Sequence, residues 1–553
     1  MKFLKYAAAV LTIALSVGLF GCSAKEDGAE NPTETVTEVI TVTEAPAEAA
    51  AVAETTAATE TPDTTKSVKF SLHERLPRPT EQVIETDGED EELPPAITYE
   101  AKDANIYGSI TVADDGGAGR FEQKNPEDKL EFVINVEKEG FYRLDFEALS
   151  LGGHKENNFF LDGVPAGTFI NEGKDYEIAP IQHVYMEVGE HTAAITANWG
   201  WIVIKNLTVV PEVKESGSLY NVPIKLVNPN ADDGALALMS FLAMNYGKTS
   251  LAGQQSQGNW SNDHGLFGGE SKGIYEKTGK YPAVIGLDMI NYSLSRVAKG
   301  AGSSETAVAI QAWENNAIVT FCWHWNAPTP YLTGEWSRGF YTENTVKGFF
   351  KEIMSGKDKA GYQLLLDDID AIAVQLRRLN DAGVPILWRP LHEASGGWFW
   401  WGTDKDSYLE LYKLMFDRLN NYHGLTNLIW VWNGQSADWY PGDEYVDIIG
   451  EDIYPGERVY ASQVNKFLEA AAYTTAPKMI TLSENGCLFD PDLAKRDGAM
   501  WSFWCVWNGE FANTEKFTDF DMLKKVYDSE YVTTLDELPD LKTYPIYTEG
   551  DAD

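Results

Sequence analysis

Cysteine and basic residues are both scarce in this chain. Its 553 residues include four cysteines, too few for a disulfide framework, and no pair has the spacing of a zinc site. Lysine and arginine total 44 against 84 aspartates and glutamates, which gives a formal net charge of −40. This imbalance excludes the basic surface by which most proteins bind nucleic acid, and it disfavours adhesion to anionic lipid through charge. A neutral substrate fits the composition best.

The N-terminus has an apolar stretch that is too short for a comfortable transmembrane helix. Residues 6–20 are mostly apolar and follow Lys2 and Lys5, which is the layout of a signal peptide over residues 1–21. Residues 19–22 resemble the bacterial lipoprotein box, in which the cysteine is acylated and becomes the mature N-terminus. We therefore expect a lipid on Cys22 and a location on the bacterial cell surface. An ordinary cleaved signal or an uncleaved anchor is the alternative.

Residues 22–97 are predicted to form a disordered acidic linker. Residues 23–66 contain 11 threonines, 10 acidic residues, two lysines and no aromatic residue, so the segment cannot bury enough apolar surface to offset its ordering entropy. A second acidic run covers residues 85–92. Like charges keep such a chain extended, so the linker is expected to hold folded domains away from a membrane.

Residues 98–212 show short strands separated by turns. Residues 130–136 and 140–146 alternate apolar and polar side chains, which is typical of half-buried antiparallel strands. About 115 residues of this kind predict an all-β sandwich. Trp199 and Trp201 are two residues apart and are expected to share one face of a strand, where sugar stacking and core packing are equally good interpretations.

Residues 215–540 alternate apolar strands with longer amphipathic stretches, which predicts parallel βα units. Eight strands and about 320 residues indicate an α/β fold of the (β/α)8 TIM-barrel type, followed by an acidic tail at residues 541–553. The expected strands are 250–254, 283–288, 317–323, 385–390, 428–432, 446–452, 479–484 and 501–507.

Two glutamates follow or end expected strands of this barrel. Glu393 comes just after the fourth strand and Glu484 ends the seventh, and a carboxylate there is costly to desolvate unless partners or function retain it. Each glutamate alone could be a structural salt bridge, for which Arg389 is the obvious partner. As a pair, they can face each other across the barrel mouth at the 5–5.5 Å that a retaining glycosidase requires.

Longer strings around these glutamates resemble glycoside hydrolase family 26. They include Arg-Pro-Leu-His-Glu at residues 389–393, Trp-Phe-Trp-Trp-Gly at 398–402 and Ser-Glu-Asn-Gly at 483–486. The resemblance implies that Glu393 is the general acid/base and Glu484 the nucleophile of an endo-β-1,4-mannanase acting on mannan, glucomannan or galactomannan. It also allows mixed-linkage β-1,3-1,4-glucan or β-1,3-xylan as substrate. The alternative from a different functional class is a non-catalytic lipoprotein that captures glycans on an inactive barrel.

The same resemblance extends to the surroundings of the two carboxylates. His324 and His392 are expected to contact sugar or orient a carboxylate. Tyr454 is expected to bind substrate, and both His392 and Tyr454 are expected to donate to Glu484. Trp398 and Trp507 are expected to be sugar platforms, whereas Trp400, Trp430 and Trp432 could equally be packing. The pKa of the acid should be raised by the second carboxylate. No metal or other cofactor is expected in the barrel, because the histidines lack metal-ligand spacing. The protein is expected to be a monomer.

Residues 99–101, 140–144 and 188–192 resemble a carbohydrate-binding module of family 35. Modules of that family often hold calcium with an early glutamate and a late aspartate. Glu100 matches the first position, but Asn206 stands at the second, so one of the two calcium carboxylates of the family is missing here. The resemblance implies a polysaccharide partner, with membrane contact only through the N-terminal lipid.

Overall fold

A computed structural model of the chain describes residues 72–79, 93–113, 119–121, 125–212, 217–256 and 264–549. The expected signal peptide, Cys22, most of the expected linker and residues 550–553 lie outside the described residues. None of the helices in these described ranges is long and apolar enough to cross a membrane.

Eleven short strands form the expected β-sandwich. One sheet has the order β10-β7-β12-β5-β4, with β2 also paired to β12, and the other has the order β3-β6-β11-β8-β9. Alternate side chains of β6 face inward because successive residues point to opposite faces. The strands are β2 (Ile97–Glu100), β3 (Asn105–Tyr107), β4 (Thr111–Val112), β5 (Gly119–Phe121), β6 (Lys129–Val136), β7 (Gly140–Ser150), β8 (Lys155–Leu161), β9 (Val164–Asn171), β10 (Glu177–Met186), β11 (Gly189–Thr196) and β12 (Ile202–Glu212).

The tryptophan pair of the sandwich lies in a loop. β12 begins at Ile202, so Trp199 and Trp201 precede it, and Trp201 has a left-handed backbone with φ of 58°. The expectation that both share a strand face is wrong, because the tight turn before β12 interrupts the alternation. Trp199 is 40% exposed and Trp201 is 46% exposed, so neither is a core residue.

Eight parallel strands close into the expected barrel, which confirms the TIM-barrel prediction. They pair in sequence order, and the last pairs with the first. All their residues are buried except Asp288 and Ile453 at strand ends. The barrel strands are β14 (Gly253–Gln255), β15 (Val284–Asp288), β16 (Ile318–Cys322), β17 (Ile386–Arg389), β18 (Leu428–Trp432), β19 (Ile448–Ile453), β20 (Met479–Asn485) and β21 (Trp504–Val506).

Helices follow the strands and cover the barrel. The longest, Lys359–Asp381, is capped by the Asp358 side chain, which accepts from the Gly361 amide, and buries a stripe of leucine and isoleucine at three- and four-residue spacing. The α-helices are α1 (Asp233–Asn245), α2 (Gly269–Thr278), α3 (Leu294–Val297), α4 (Glu305–Glu314), α5 (Phe349–Met354), α6 (Lys359–Asp381), α7 (Lys405–Asp417), α8 (Val464–Ala471), α9 (Pro491–Asp497), α10 (Glu510–Asn513) and α11 (Phe520–Asp528).

Most described tryptophans of the barrel domain are packing residues. Burial of one such ring removes roughly 150–250 Å² from water, worth about 4–6 kcal/mol as an upper estimate. This accounts for Trp400, Trp430 and Trp432, which are fully buried and therefore not sugar platforms. The fully buried set is Trp323, Trp325, Trp388, Trp400, Trp401, Trp430, Trp432, Trp501 and Trp504.

A short strand from before the sandwich pairs with the C-terminal end of the chain. β1 (Arg75–Pro77) runs parallel to β23 (Ile546–Thr548), and Arg75 forms an ion pair of 2.7 Å with Asp233 at the start of α1. The prediction of disorder across 22–97 is therefore wrong at residues 75–77 and at residue 97, where β2 begins. The segment predicted as an acidic tail contains a strand. Two further strands, β13 (Ser250–Leu251) and β22 (Val532–Thr533), also pair in parallel.

Candidate active site

The fourth and seventh barrel strands bring the two predicted carboxylates to one rim of the barrel. β17 ends at Arg389, four residues before Glu393, and Glu484 is the last residue but one of β20. Leu391 and Glu393 both have a left-handed backbone, with φ of 53° and 54°. This conformation costs about 1–2 kcal/mol in a non-glycine residue. The Glu393 amide donates to the Asn433 carbonyl over 2.7 Å, which holds the turn.

The carboxyl groups of Glu393 and Glu484 face each other. One oxygen from each lies within 4.8 Å of the other, and an Asp452 oxygen lies within the same distance of both. A separation of less than 5 Å between two of their oxygens leaves no room for a water between the carboxyl and a sugar carbon. It is the spacing at which one group can attack directly while the other transfers a proton.

Glu393 has the environment of an acid. It is almost wholly buried, and Trp398 Nε1 donates to Glu393 Oε2 over 2.7 Å. Burial, followed by the charge of Glu484, raises the pKa of Glu393 to about 7, against the opposing effect of the Trp398 hydrogen bond. The sequence argument named only the second carboxylate as the cause, whereas burial contributes more.

Two side-chain donors bond to the carboxyl group of Glu484. Arg389 Nη2 donates to its Oε2 over 2.7 Å, and the Tyr454 hydroxyl donates to its Oε1 over 2.5 Å. The Arg389 salt bridge, considered as a rival to catalysis, therefore does exist, and it is made with Glu484. Because each carboxylate oxygen has two lone pairs, these donors orient Glu484 and leave it able to react.

Asp452 is a third carboxylate of the site that the sequence argument did not single out. Arg389 Nη1 donates to Asp452 over 2.6 Å, so one buried guanidinium joins Asp452 and Glu484. A shift in the β19–β20 register between Glu451 and Asp452 sets Asp452 directly opposite Glu484. Burial of a carboxylate in an apolar strand could have revealed Asp452, but the shift itself leaves no sequence signal.

The two histidines contact each other. His324 Nδ1 lies 2.7 Å from Asp288 Oδ2, and His324 Nε2 lies 3.3 Å from His392 Nε2. Burial alone would lower the pKa of His324, but the charge and hydrogen bond of Asp288 raise it overall. His392 is 1% exposed, and burial, Arg389 and His324 lower its pKa. The expected donation from His392 to Glu484 is wrong, because His392 Nε2 faces His324 and its Nδ1 has no hydrogen-bond partner among the described residues.

The two aromatic residues predicted as platforms border these groups. Trp398 is 38% exposed beside Glu393, and the Trp507 ring lies 5.6 Å from the His324 ring. Tyr341, which sequence reasoning missed, lies on the long loop after β16 and packs its ring against Phe399. Sugar contact stays a prediction for all five residues expected to bind substrate, which are His324, His392, Trp398, Tyr454 and Trp507.

Two clusters among the described residues bring three metal-ligating groups together. In the Glu393–Asp452–Glu484 cluster, the Arg389 guanidinium already bonds to two of the three carboxylates. In the other cluster, Asp288, Cys322 and His324, the histidine bonds to the aspartate. The three described cysteines, Cys322, Cys487 and Cys505, are free and buried, so no disulfide joins them.

In the described part of the sandwich, Asn206 stands at the position where the family resemblance would place a calcium ligand. Asn206 pairs with Glu100 on one side and with Glu147 on the other. Its amide nitrogen donates to Glu147 over 2.5 Å, and the Lys205 ammonium lies 2.9 Å from the same carboxylate. A lysine charge at this carboxylate opposes a cation, so the residues do not fit calcium here.

The closed barrel with its facing carboxylates defines a glycoside hydrolase. The chain matches the model of glycosyl hydrolase family 26 over residues 227–537. It belongs to glycoside hydrolase family 26. A mannan endo-1,4-beta-mannosidase of Thermothelomyces thermophilus is 39% identical over 455 residues, which cover 80% of this chain and 90% of that protein. Mannan endo-1,4-beta-mannosidase B of Piromyces sp is 31% identical over 456 residues, which cover 80% of this chain and 77% of that protein.

The domain before the barrel matches the model of carbohydrate binding module family 35 over residues 97–212. Both domains occur together in a solved β-(1,4)-mannanase of Podospora anserina that carries a family 26 and a family 35 domain. That structure has a TM-score of 0.58 and 35% sequence identity, covering 81% of this chain and 99% of that one.

Proposed function

We propose that this protein is an endo-β-1,4-mannanase that hydrolyses mannan, glucomannan or galactomannan by double displacement, with retention at the anomeric carbon. The observation that carries the proposal is the approach of Glu393 and Glu484 to within 4.8 Å, with the pKa of Glu393 raised to about 7 and Glu484 bonded to the Arg389 guanidinium. The names of the relatives support mannan as the polymer.

In the first step, Glu484 attacks the anomeric carbon while Glu393 gives its proton to the glycosidic oxygen. The bond to the leaving sugar breaks, and a glycosyl–Glu484 ester forms. Arg389 and Tyr454 hold Glu484 in place through their hydrogen bonds to its two oxygens. Since these donors are already positioned, little reorganisation is needed as the charge leaves the carboxylate.

In the second step, Glu393 acts as a base. Esterification removes the negative charge of Glu484, which is one of the two causes that raise the pKa of Glu393. The pKa of Glu393 therefore falls, and Glu393 takes a proton from the incoming water. The water oxygen attacks the anomeric carbon, and Glu484 leaves as a carboxylate.

The pH dependence follows from the pKa of Glu393. Because Glu393 must be protonated to act as acid, and its pKa is raised to about 7, kcat/KM should fall above neutral pH. The expected fall is roughly tenfold per pH unit. Initial rates at low substrate concentration across the pH range measure this limb. A profile that stays flat to pH 9 would exclude Glu393 as the titrating acid.

The substrate is tested with purified protein on galactomannan, glucomannan, barley β-glucan and β-1,3-xylan, with and without EDTA. We expect a rapid fall in mannan viscosity with short oligosaccharide products, and no effect of EDTA, because we propose a cofactor-free reaction. Faster cleavage of glucan or xylan would favour the other polymers that the family resemblance allows. Mannan binding without any turnover would favour the glycan-capture lipoprotein.

We further propose that the sandwich binds the polymer through Trp199 and Trp201. Both rings are exposed in one loop, and Trp199 is steadied by an edge contact with His154 at 5.7 Å. Flat exposed aromatic faces suit pyranose rings through apolar burial.

Changing Trp199 and Trp201 to alanine should weaken retention on insoluble mannan roughly tenfold, with hydrolysis of soluble oligosaccharides unchanged. Sedimentation with insoluble mannan measures this, and Tyr107→Ala, at another exposed ring of the sandwich, is the matched control. Unchanged retention of the tryptophan double variant would place polymer binding elsewhere.

We propose that Cys22 carries a lipid that anchors a monomer at the bacterial surface, with the signal peptide removed. The sequence pattern of residues 1–22 supports this. Incorporation of a labelled fatty acid into the wild type but not into Cys22→Ser tests the anchor. Release of the unlabelled wild type into the medium would instead support an ordinary cleaved signal.

A further inference from the structure

The donor that bonds to the acid/base Glu393 packs against a residue that has no side chain of its own to contact the carboxyl group. Trp398 Nε1 lies 2.7 Å from Glu393 Oε2, in a loop whose tight turn runs from Ala394 to Gly396. The six-membered ring of Trp398 lies directly against the α-carbon of Gly396. A methyl group placed on that carbon would overlap three ring atoms.

The loop backbone has little freedom to move away from such a methyl group. Thr342, on the neighbouring long loop, donates its amide to the Trp398 carbonyl over 2.7 Å and its hydroxyl to the Gly397 carbonyl over 3.0 Å. On the other side, the Gly396 amide donates to the Glu393 carbonyl over 3.1 Å. An added side chain at residue 396 must therefore displace the Trp398 ring.

The backbone of Gly396 gives no other reason for a glycine. Gly396 does not have the left-handed conformation that Gly397 adopts, with φ of 70°, so the backbone at residue 396 accepts any side chain. The absent β-carbon matters only because the indole occupies its place. The requirement for glycine at residue 396 therefore depends on the Trp398 ring and should disappear when that ring is removed.

We propose that Gly396 is a positioning residue for the hydrolytic reaction. Because Gly396 has no side chain, the Trp398 ring can pack against its α-carbon, and in that position the indole N–H reaches Glu393. The inference rests on the proposed function, because it gives Gly396 a role only through the acid/base carboxyl. Since Trp398 donates to the ionised form of Glu393, loss of this bond should raise the pKa of Glu393. It should also change the orientation of the Glu393 carboxyl group.

The test compares Gly396→Ala, Trp398→Phe and the double variant with the wild type, measuring kcat/KM on a soluble manno-oligosaccharide across the pH range. Gly396→Ala should lower kcat/KM on the order of 10–100-fold and move its basic limb to higher pH. Trp398→Phe removes the same N–H and should move the limb in the same direction. Because both substitutions remove one interaction, the double variant should resemble Trp398→Phe.

A basic limb that Gly396→Ala leaves in place, or losses that multiply in the double variant, would overturn the proposal. Gly234→Ala, where the new methyl makes only an ordinary contact of 3.4 Å in α1, is the matched control and should behave as wild type. If Gly396→Ala does not fold, Gly396→Ala combined with Trp398→Ala should fold, since the ring is gone. Failure of that pair to fold would also overturn the proposal. A wild type without turnover would instead count against the proposed function.

Discussion

Changing Glu484 to alanine should reduce mannan hydrolysis on the order of 10⁴–10⁶-fold, the largest loss expected from any single substitution in this chain. The variant cannot form the glycosyl ester, and no other described carboxylate has its place. Asp452 is close, but Arg389 and Ser483 hold it through hydrogen bonds of 2.6 and 2.9 Å. Initial rates on galactomannan measure the loss, and Glu276→Ala, at an exposed glutamate of α2, should retain wild-type activity.

Azide provides a direct readout of the role of Glu484. In Glu484→Ala the space left by the carboxylate admits a small anion. This anion can attack an activated β-mannoside from the face of the sugar that Glu484 attacks in the wild type. The product should then be an α-mannosyl azide, with inverted configuration, because a single displacement replaces two. A β-azide from this variant would show that Glu484 is not the nucleophile.

Changing Glu393 to alanine should reduce hydrolysis of natural mannan about 10²–10⁴-fold, with a pattern that differs from loss of the nucleophile. Formation of the ester depends on protonation of a poor leaving group, so a dinitrophenyl mannoside, whose leaving group needs no proton, should form it at a nearly normal rate. Hydrolysis of the ester then lacks its base and becomes limiting, which should appear as a burst of dinitrophenol and a lowered KM.

Azide should accelerate Glu393→Ala by attacking the accumulated ester, and the product should be a β-mannosyl azide with retained configuration. The basic limb of kcat/KM should also disappear, because the group that titrates at about 7 is gone. Glu393→Gln, which keeps the size of the side chain and its contact with Trp398, controls for packing. An equal loss on the activated and natural substrates would contradict an acid/base role.

The barrel and its two carboxylates could be predicted from the sequence because their signals are local. The expected bounds of the fifth strand, 428–432, agree with β18, and those of the seventh, 479–484, differ from β20 by one residue. A buried parallel strand is a continuous apolar run, and a carboxylate that ends such a run stands out against it.

Features that depend on distant pairing could not be predicted in the same way. The opposition of Asp452 and Glu484 arises from a register shift between two strands about 30 residues apart, and no single stretch of sequence records it. The partner of Arg389 was ambiguous for a related reason. The sequence allowed an ion pair with either glutamate, and only the folded structure shows that Arg389 bonds to Glu484. Trp199 and Trp201 were assigned to a strand because alternation was extended across a turn.

The pairing of β1 with β23 means that the hydrolytic domain is not continuous along the chain. Residues 75–77 belong to it, and the sandwich is inserted between them and the rest. A fragment that starts at residue 215 would expose the edge of β23 as an unpaired strand, open to association with other chains. Excision of the sandwich is therefore better made by joining residue 79 to residue 217 through a flexible spacer, which keeps that edge covered.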